Sequence, residues 1–555
     1  MSLALRISKT NDRLTTNDFD LSQLAFTFAK RTPVVKATQI EMMHTHTSRL
    51  AFIVCSLVLA SPFGVAQELC GVQEAVCRAP IPASYSPGTM EPVPVIFHVV
   101  VSSDSYSIPL DRIQRQITVL NSEYQQSGIT FFIQSISKIV DPDNATNFKT
   151  PNFVDYMKLY NVFPNEYSNY FLPQLSNPNG AVLYIPEVLN SDDVVGKNID
   201  GIFMNQGALT LATGDPGLRD TGVHEFGHYF GLDHTFVTSC LGCDNDAVSD
   251  TPIHRNQDQN KCPTDDPDSC PEPGIDPIRN FMNYTSAECR NEFTDGQISR
   301  IQYFREIKRP LLGSRSQTSI FFDSYSAPTT LNNISISGQD IIILPGSDVT
   351  ISGSITLNNG ARMYISSGAS LSNIGDIILS NGSTLEIRQH PTQVVINGNI
   401  SVSGGSSFSI GFDDFDPVEP TDPGLLSGTP SSSSTSGNIE VKSLGNLLVS
   451  GENSSFFVGK SGVFTLSPGR SATFENGGVF RTQGTVQLDR NATFVVEPTA
   501  GEPDFFPQVA SSSFRLGKDA KLAFRNGGYT IAGNSDIGRP LVIERLLELV
   551  SNSVG

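Results

Sequence analysis

Eleven consecutive residues carry the clearest chemistry in this 555-residue sequence: His224-Glu225-Phe226-Gly227-His228-Tyr229-Phe230-Gly231-Leu232-Asp233-His234. His224 and His228 are four apart, so a helix puts both imidazoles on one face, where they can hold one metal ion. Gly231 can end that helix and turn the chain, which brings His234 back as a third nitrogen ligand. Three neutral imidazoles fill three corners of a tetrahedron and leave the fourth to water, the layout of a catalytic zinc. Glu225 follows the first ligand and can reach that water to take its proton as a general base. The competing reading is a histidine-rich surface helix without metal. Three of the chain's eight histidines within eleven residues, at ligand spacing, weigh against it. His98 sits in an apolar run and reads as a packed core histidine, whereas His254 and His390 stand alone.

The elements that must position this string read as an α+β region. Pro92 to Val100 (PVPVIFHVV) has the look of a buried strand. Leu110 to Tyr124 carries Ile113, Ile117, Leu120 and Tyr124 as a helical stripe. Ile129 to Ile139 and Ala181 to Ile185 alternate like strands, and Asp220 to Phe230 reads as the helix that Gly231 ends. Thr294-x-x-Gln297 is a capping-box pattern opening a helix to about Ile307.

A formal net charge of −19 argues against nucleic-acid and anionic-membrane partners, which call for clustered Lys and Arg. The one strongly apolar run, Leu50 to Ala60, is shorter than the roughly 20 residues a membrane helix needs. Arg49 before it and Gly64-Val65-Ala66 after it give the layout of a secretory signal cleaved after Ala66, with an uncleaved anchor as the alternative; the expected location is extracellular, with no transmembrane span. Met42 or Met43 is a candidate start. Removing Cys55 with the leader leaves Cys70, Cys77, Cys240, Cys243, Cys262, Cys270 and Cys289. In an exported chain such clustering reads as disulfides; a structural zinc site is the alternative, since Cys240-x-x-Cys243 has ligand spacing.

Taken together, the catalytic string and its surroundings resemble the metzincin zinc metallopeptidases, and among them the pappalysin family, the group of pregnancy-associated plasma protein A and ulilysin. The resemblance rests on HEFGHYFGLDHTF, on Val248-Ser249-Asp250-Thr251-Pro252, on Asn280-Phe281-Met282-Asn283-Tyr284-Thr285, and on Cys289 and Phe293-Thr294. It covers about residues 91 to 312. It implies that His224, His228 and His234 bind zinc, that Glu225 is the base, and that Met282 forms the methionine turn beneath the metal. Tyr284 is implied to hydrogen-bond a tetrahedral intermediate or to ligate zinc in the absence of substrate. Cys243 is implied to pair with Cys270 and Cys262 with Cys289, which leaves Cys240 over. Calcium occurs near this region in some relatives; Asp244, Asp246 and Asp250 are oxygen donors that suit it, and a solvated acidic loop suits them equally. Between Ala66 and the first strand there is no room for a long folded propeptide. Cys70 or Cys77 could hold the zinc latent as a thiolate, or the two could form one bridge.

Composition changes near residue 313, after which Ser, Gly, Asn and Thr dominate. A template of two spaced apolar residues, a turn residue and two more spaced apolar residues recurs. Ile355, Leu357, Gly360, Met363 and Ile365 fit it, as do Ile377, Leu379, Gly382, Leu385 and Ile387, then Ile400, Val402, Gly405, Phe408 and Ile410. Later copies are Phe464 to Phe474, Val486 to Val496 and Phe514 to Phe524. A period near 22 residues predicts strand–turn–strand coils stacked as a β-solenoid or parallel β-helix. An ordinary β-sandwich of hairpins is the alternative. Residues 411–438 interrupt the repeat with a Pro- and Ser-rich acidic insert, and Arg539 to Leu549 suits an amphipathic cap.

The expected organisation is a leader at 1–66, a short segment at 67–90, a mixed-sheet metzincin catalytic domain at 91–312, a linker at 313–330, an all-β solenoid at 331–536 and a tail at 537–555. The expected activity is a secreted zinc endopeptidase acting on protein or peptide substrates, with the solenoid contacting a cell surface or polysaccharide. The alternative is a structural or adhesive solenoid protein with an accessory peptidase. A polysaccharide-cleaving β-helix is disfavoured, because only six of residues 331–410 are Asp, Glu, Lys or Arg.

Overall fold

The structure is a computed structural model that describes residues 85–524, except most of 143–159 and 175–199, 210–219, 238–245 apart from Cys240, 411–438 and several short turns. The leader, Cys70, Cys77, Cys243, Asp244, His390 and the C-terminal tail lie outside the described residues.

The first region is built on a five-stranded sheet. Its strands are β1 (Val93–Val101), β2 (Phe131–Val140), β3 (Ser168–Pro173), β4 (Leu183–Tyr184) and β5 (Ile202–Phe203), in the order β2-β1-β3-β5-β4. All pairs are parallel except β4 with β5. All nine residues of β1 are buried, as expected of a central strand covered on both faces. One face, with Val93, Val95, Phe97 and Val99, packs against the helices. On the other face His98 is buried as the sequence suggests, its ring nitrogens meeting Ser137 Oγ at 2.9 Å and Asn169 Oδ1 at 3.0 Å.

Helix α1 (Leu110–Glu123) buries Ile113, Ile117 and Leu120 on the sheet. Helix α2 (Thr221–Tyr229) carries His224, Glu225 and His228 and is buried along its whole length. The Tyr124 hydroxyl, just past α1, donates to Val223 O at 2.8 Å and ties the two helices. Helix α3 (Asp295–Tyr303) begins with the expected capping box: Gln297 N donates to Thr294 Oγ1, and Thr294 N to Gln297 Oε1. It runs on through a π-helical turn, Phe304–Lys308.

Strand β3 has no counterpart in the sequence reading. SNYFLP is buried on every residue, so it shows neither the period-two alternation nor the β-branched run that marks a strand.

From Ser319 onward the chain is an extensive region of parallel strands in a 14-stranded and an 8-stranded sheet. The first, Ser319–Phe322, lies within the stretch read as a linker, and the second, Thr329–Leu331, straddles its end. The template residues stack in register: Ile355 pairs with Ile377 and Ile377 with Ile400, while Met363 pairs with Leu385 and Leu385 with Phe408. They form one continuous apolar core. The turn positions Gly360, Gly382, Gly405, Gly469 and Asn491 all have φ between +60° and +77°, the left-handed geometry that glycine and asparagine tolerate.

The repeat nevertheless differs from strand–turn–strand. After Val394–Ile396 three strands recur in rotation, as in Ile439–Ser443, Leu447–Ser450 and Ser455–Val458. The copies before the insert match the second and third of these strands; the copies from Phe464 onward match the first and second. Strands on either side of 411–438 pair directly, Ile400 with Leu447 and Phe408 with Phe456, so the insert leaves the stack unbroken.

Candidate metal centre

Helix α2 holds His224 and His228 one turn apart, as 3.6 residues per turn requires. Two glycines in the string have steric reasons. A Cβ on Gly227 would lie 2.4 Å from Met282 Sδ, and a Cβ on Gly231, at φ +79°, would lie 2.4 Å from the Phe304 ring. Gly231 N donates to His228 O, and Leu232 N to Gly227 O, a left-handed helix end that turns the chain back. Arg300 Nε caps Gly231 O at 2.6 Å. That turn delivers His234.

The three Nε2 atoms lie 3.2, 3.2 and 3.3 Å apart. His224 Nδ1 faces Phe281 O and His228 Nδ1 faces Leu232 O, each at 2.7 Å. A carbonyl only accepts, so Nδ1 carries the proton on both rings and the Nε2 lone pairs point into the shared centre. A tetrahedral ion with metal–nitrogen distances of about 2.0–2.1 Å sets its nitrogens about 3.3–3.4 Å apart, which matches the observed triangle. These residues fit zinc. Burial pushes the His224 pKa down to about 3, with the Arg290 guanidinium adding to it, and burial likewise holds His234 well below its usual value, with the other two imidazoles adding. Neutral imidazoles are what a metal requires.

The remaining residues of the sequence reading converge here. Glu225 is 1% exposed, and its charge raises the buried Tyr124 and Tyr170 hydroxyls after the larger effect of their desolvation. Met282 is fully buried beneath α2. Its loop is set by Asn280, which accepts from Met282 N and exchanges hydrogen bonds with Gln297 of α3. The Tyr284 ring lies 4.5 Å from that of His234, and Phe236 stacks on His234 at 4.7 Å.

Cys270 is bonded to Cys240, with Cα atoms 5.5 Å apart, in place of the Cys243 that the resemblance implied. Cys240 lies three residues past the short strand β6 (Phe236–Val237), which pairs with β7 (His254–Arg255), and Ser269 beside Cys270 bonds both Cys240 Sγ and Arg255 N. Cys262 is bonded to Cys289. Of the suggested oxygen donors, Asp246 accepts from Val248 N and Thr251 Oγ1, and Asp250 accepts from Thr294 Oγ1 and Gly296 N. Burial raises the Asp246 pKa to about 7.

Two buried ion pairs that frame α2 escaped the sequence reading. Arg290 and Asp220, each 2% exposed, meet at 2.7 Å at the start of α2, and Arg290 Nη1 also donates to Asn283 O in the methionine loop. At the other end Arg309 grips Asp200 through two nitrogens, donates to Tyr229 O and lies 3.5 Å over the Tyr229 ring.

Comparison with known proteins gives the family. A family model described as pregnancy-associated plasma protein-A matches residues 146–306. An extracellular metalloprotease of Arthroderma benhamiae is 32% identical over 206 residues, covering 37% of this chain and 73% of the relative. One from Pyricularia oryzae is 35% identical over 221 residues, covering 37% and 71%. This chain belongs to the pregnancy-associated plasma protein-A family. Like others of that family it is a zinc metalloendopeptidase. Among solved structures, mature mirolysin of Tannerella forsythia in complex with a cleaved peptide aligns at 20% identity and a TM-score of 0.34, covering 42% of this chain and 98% of that one. Among the described residues no helix is long and apolar enough to cross a membrane.

Proposed function

We propose that this chain is a secreted endopeptidase in which His224, His228 and His234 hold zinc and Glu225 is the general base for hydrolysis of peptide bonds in proteins. The observation that carries this reading is the triangle of Nε2 atoms 3.2–3.3 Å on a side, with Glu225 adjacent to the first ligand on the same buried helix. When bound, zinc supplies a Lewis acid that polarises a carbonyl and acidifies water. Glu225 takes the proton from the attacking water and passes it to the leaving amine. Its burial keeps bulk water from competing for that proton. The Tyr284 phenol, beside His234, donates to the oxygen on which charge develops. His224 and His228 are held as Nδ1–H donors by Phe281 O and Leu232 O, and the methionine loop supports α2 from below through Met282.

Secretion is supported by the signal-like stretch ending at Ala66, by two disulfides and by relatives described as extracellular. The registered parallel strands after Ser319 and their left-handed glycine and asparagine corners support a β-solenoid. Zinc is the one ion this reading requires. Mass-spectrometric profiling of new N-termini in a denatured proteome tests the activity: zinc-loaded protein should generate cleavages that the Glu225→Ala variant does not, and equal cleavage by both would remove Glu225 from the mechanism.

A further inference from the structure

The outer face of the catalytic sheet is closed by the C-terminal strands. Ile96 of β1 points away from the α2 side and forms a separate apolar cluster with Val162 and Tyr167, which lead into β3, and with Ile342, Leu344 and Tyr364 from the 8-stranded sheet. All six are at most 1% exposed. The rings interlock across the boundary: Tyr167 meets Phe321 edge-on at 5.4 Å, and Phe163 meets Tyr364 at 5.5 Å.

Charges cross it too. Arg362 binds both Glu166 oxygens, bonds the fully buried Asp340 and lies 3.9 Å over the Phe163 ring. Arg315 holds Asp340 from the other side at 2.6 Å. Backbones also press together, since a Cβ on Gly346 would lie 2.5 Å from Lys138 O of β2. Large aromatic anchors, a desolvated ion pair and a glycine at a close approach are the marks of a packed interface, and they are the opposite of two modules joined by a flexible linker.

The contact also leads toward α2. The Tyr364 hydroxyl donates to Asn161 O at 3.1 Å, and Asn161 Nδ2 donates to Asp200 O at 3.1 Å. Asp200 is the partner of Arg309, which caps Tyr229 O at the C-terminal end of α2. Every link is a buried hydrogen bond or ion pair, and buried charges hold their partners closely because leaving one unpaired costs several kcal/mol.

We propose that the C-terminal region is a fixed wall of the peptidase, anchored at its boundary by Arg362, and that Tyr364 is a positioning residue which sets Asn161, Asp200 and Arg309 and thereby the end of the metal-ligand helix. Residues more than fifty positions beyond the family match thus serve the catalytic domain itself.

Hydrogen exchange on the full-length chain tests this without metal or substrate, so its failure is separate from any failure of the proposed chemistry. Tyr364→Ala should raise exchange roughly tenfold or more at 161–173 and also at 226–232. Tyr364→Phe keeps the ring and loses only the hydroxyl; it should show a smaller rise at both segments. Leu448→Ser, at an exposed position on a distant coil, should change neither. For the zinc-loaded protein, Tyr364→Phe should lower kcat with KM unchanged. Exchange unchanged at both segments in Tyr364→Ala, or raised at 161–173 alone, would overturn the proposal.

Discussion

Replacing Arg290 by Met should destabilise the protein far more than a surface charge change would. The Arg290 guanidinium and the Asp220 carboxylate are each 2% exposed and 2.7 Å apart. The variant leaves Asp220 buried without its counter-charge and Asn283 O without a donor. Removing one partner of such a pair typically costs about 3–5 kcal/mol, a large fraction of the roughly 5–15 kcal/mol that holds a domain. Because Asp220 precedes α2 and its carbonyl accepts from His224 N, the loss falls on the metal site. Urea unfolding of the wild type, Arg290→Met, Asp220→Leu and the double variant measures it. The double variant should be more stable than either single one, since neither charge is then stranded. A cost below about 1 kcal/mol for Arg290→Met, the level of an exposed pair, would refute the reasoning.

Other consequences follow from the same packing. Gly231→Ala must place a Cβ 2.4 Å from the Phe304 ring at φ +79°, so it should lower stability by about 2 kcal/mol or more and weaken zinc retention, as read by thermal unfolding and metal analysis. Non-reducing peptide mapping should recover Cys240 linked to Cys270; Cys270→Ser should cost about 3 kcal/mol in denaturant unfolding, given a 30-residue separation, whereas a Cys243–Cys270 peptide would contradict the structure. Burial lowers the His98 pKa to about 4, so unfolding takes up a proton between that value and about 6.5. Its share of stability is intact above about 6.5 and falls by about 3 kcal/mol as pH drops toward 4; His98→Gln should flatten acid unfolding over that window, and an unchanged profile would show that His98 is not responsible.

What the sequence made legible was local. His224, His228, Gly231 and His234 lie within three helical turns, so their spacing states their geometry directly. Thr294 and Gln297 announce a helix start in the same way, and the template glycines mark corners because only a few residues accept positive φ. Partners distant in sequence had no such signature. Asp220 and Arg290 are 70 positions apart, as Asp200 and Arg309 are 109 apart, and an Asp or Arg with a buried partner looks the same in sequence as one in water. The three-strand rotation was hidden because the template spans only two strands: it fell on the second and third strands before the insert and on the first and second after it. The Cys240–Cys270 bond lies beside the pairing of β6 with β7, two-residue strands too short to show a period.

The account stands on Glu225 acting beside an intact zinc site, and zinc content measured together with turnover tests it most directly. Glu225→Gln should bind about one zinc per chain, as the wild type does, and lose roughly 100-fold or more in kcat/KM on a denatured protein substrate. A variant that keeps its zinc and cleaves at the wild-type rate would contradict it.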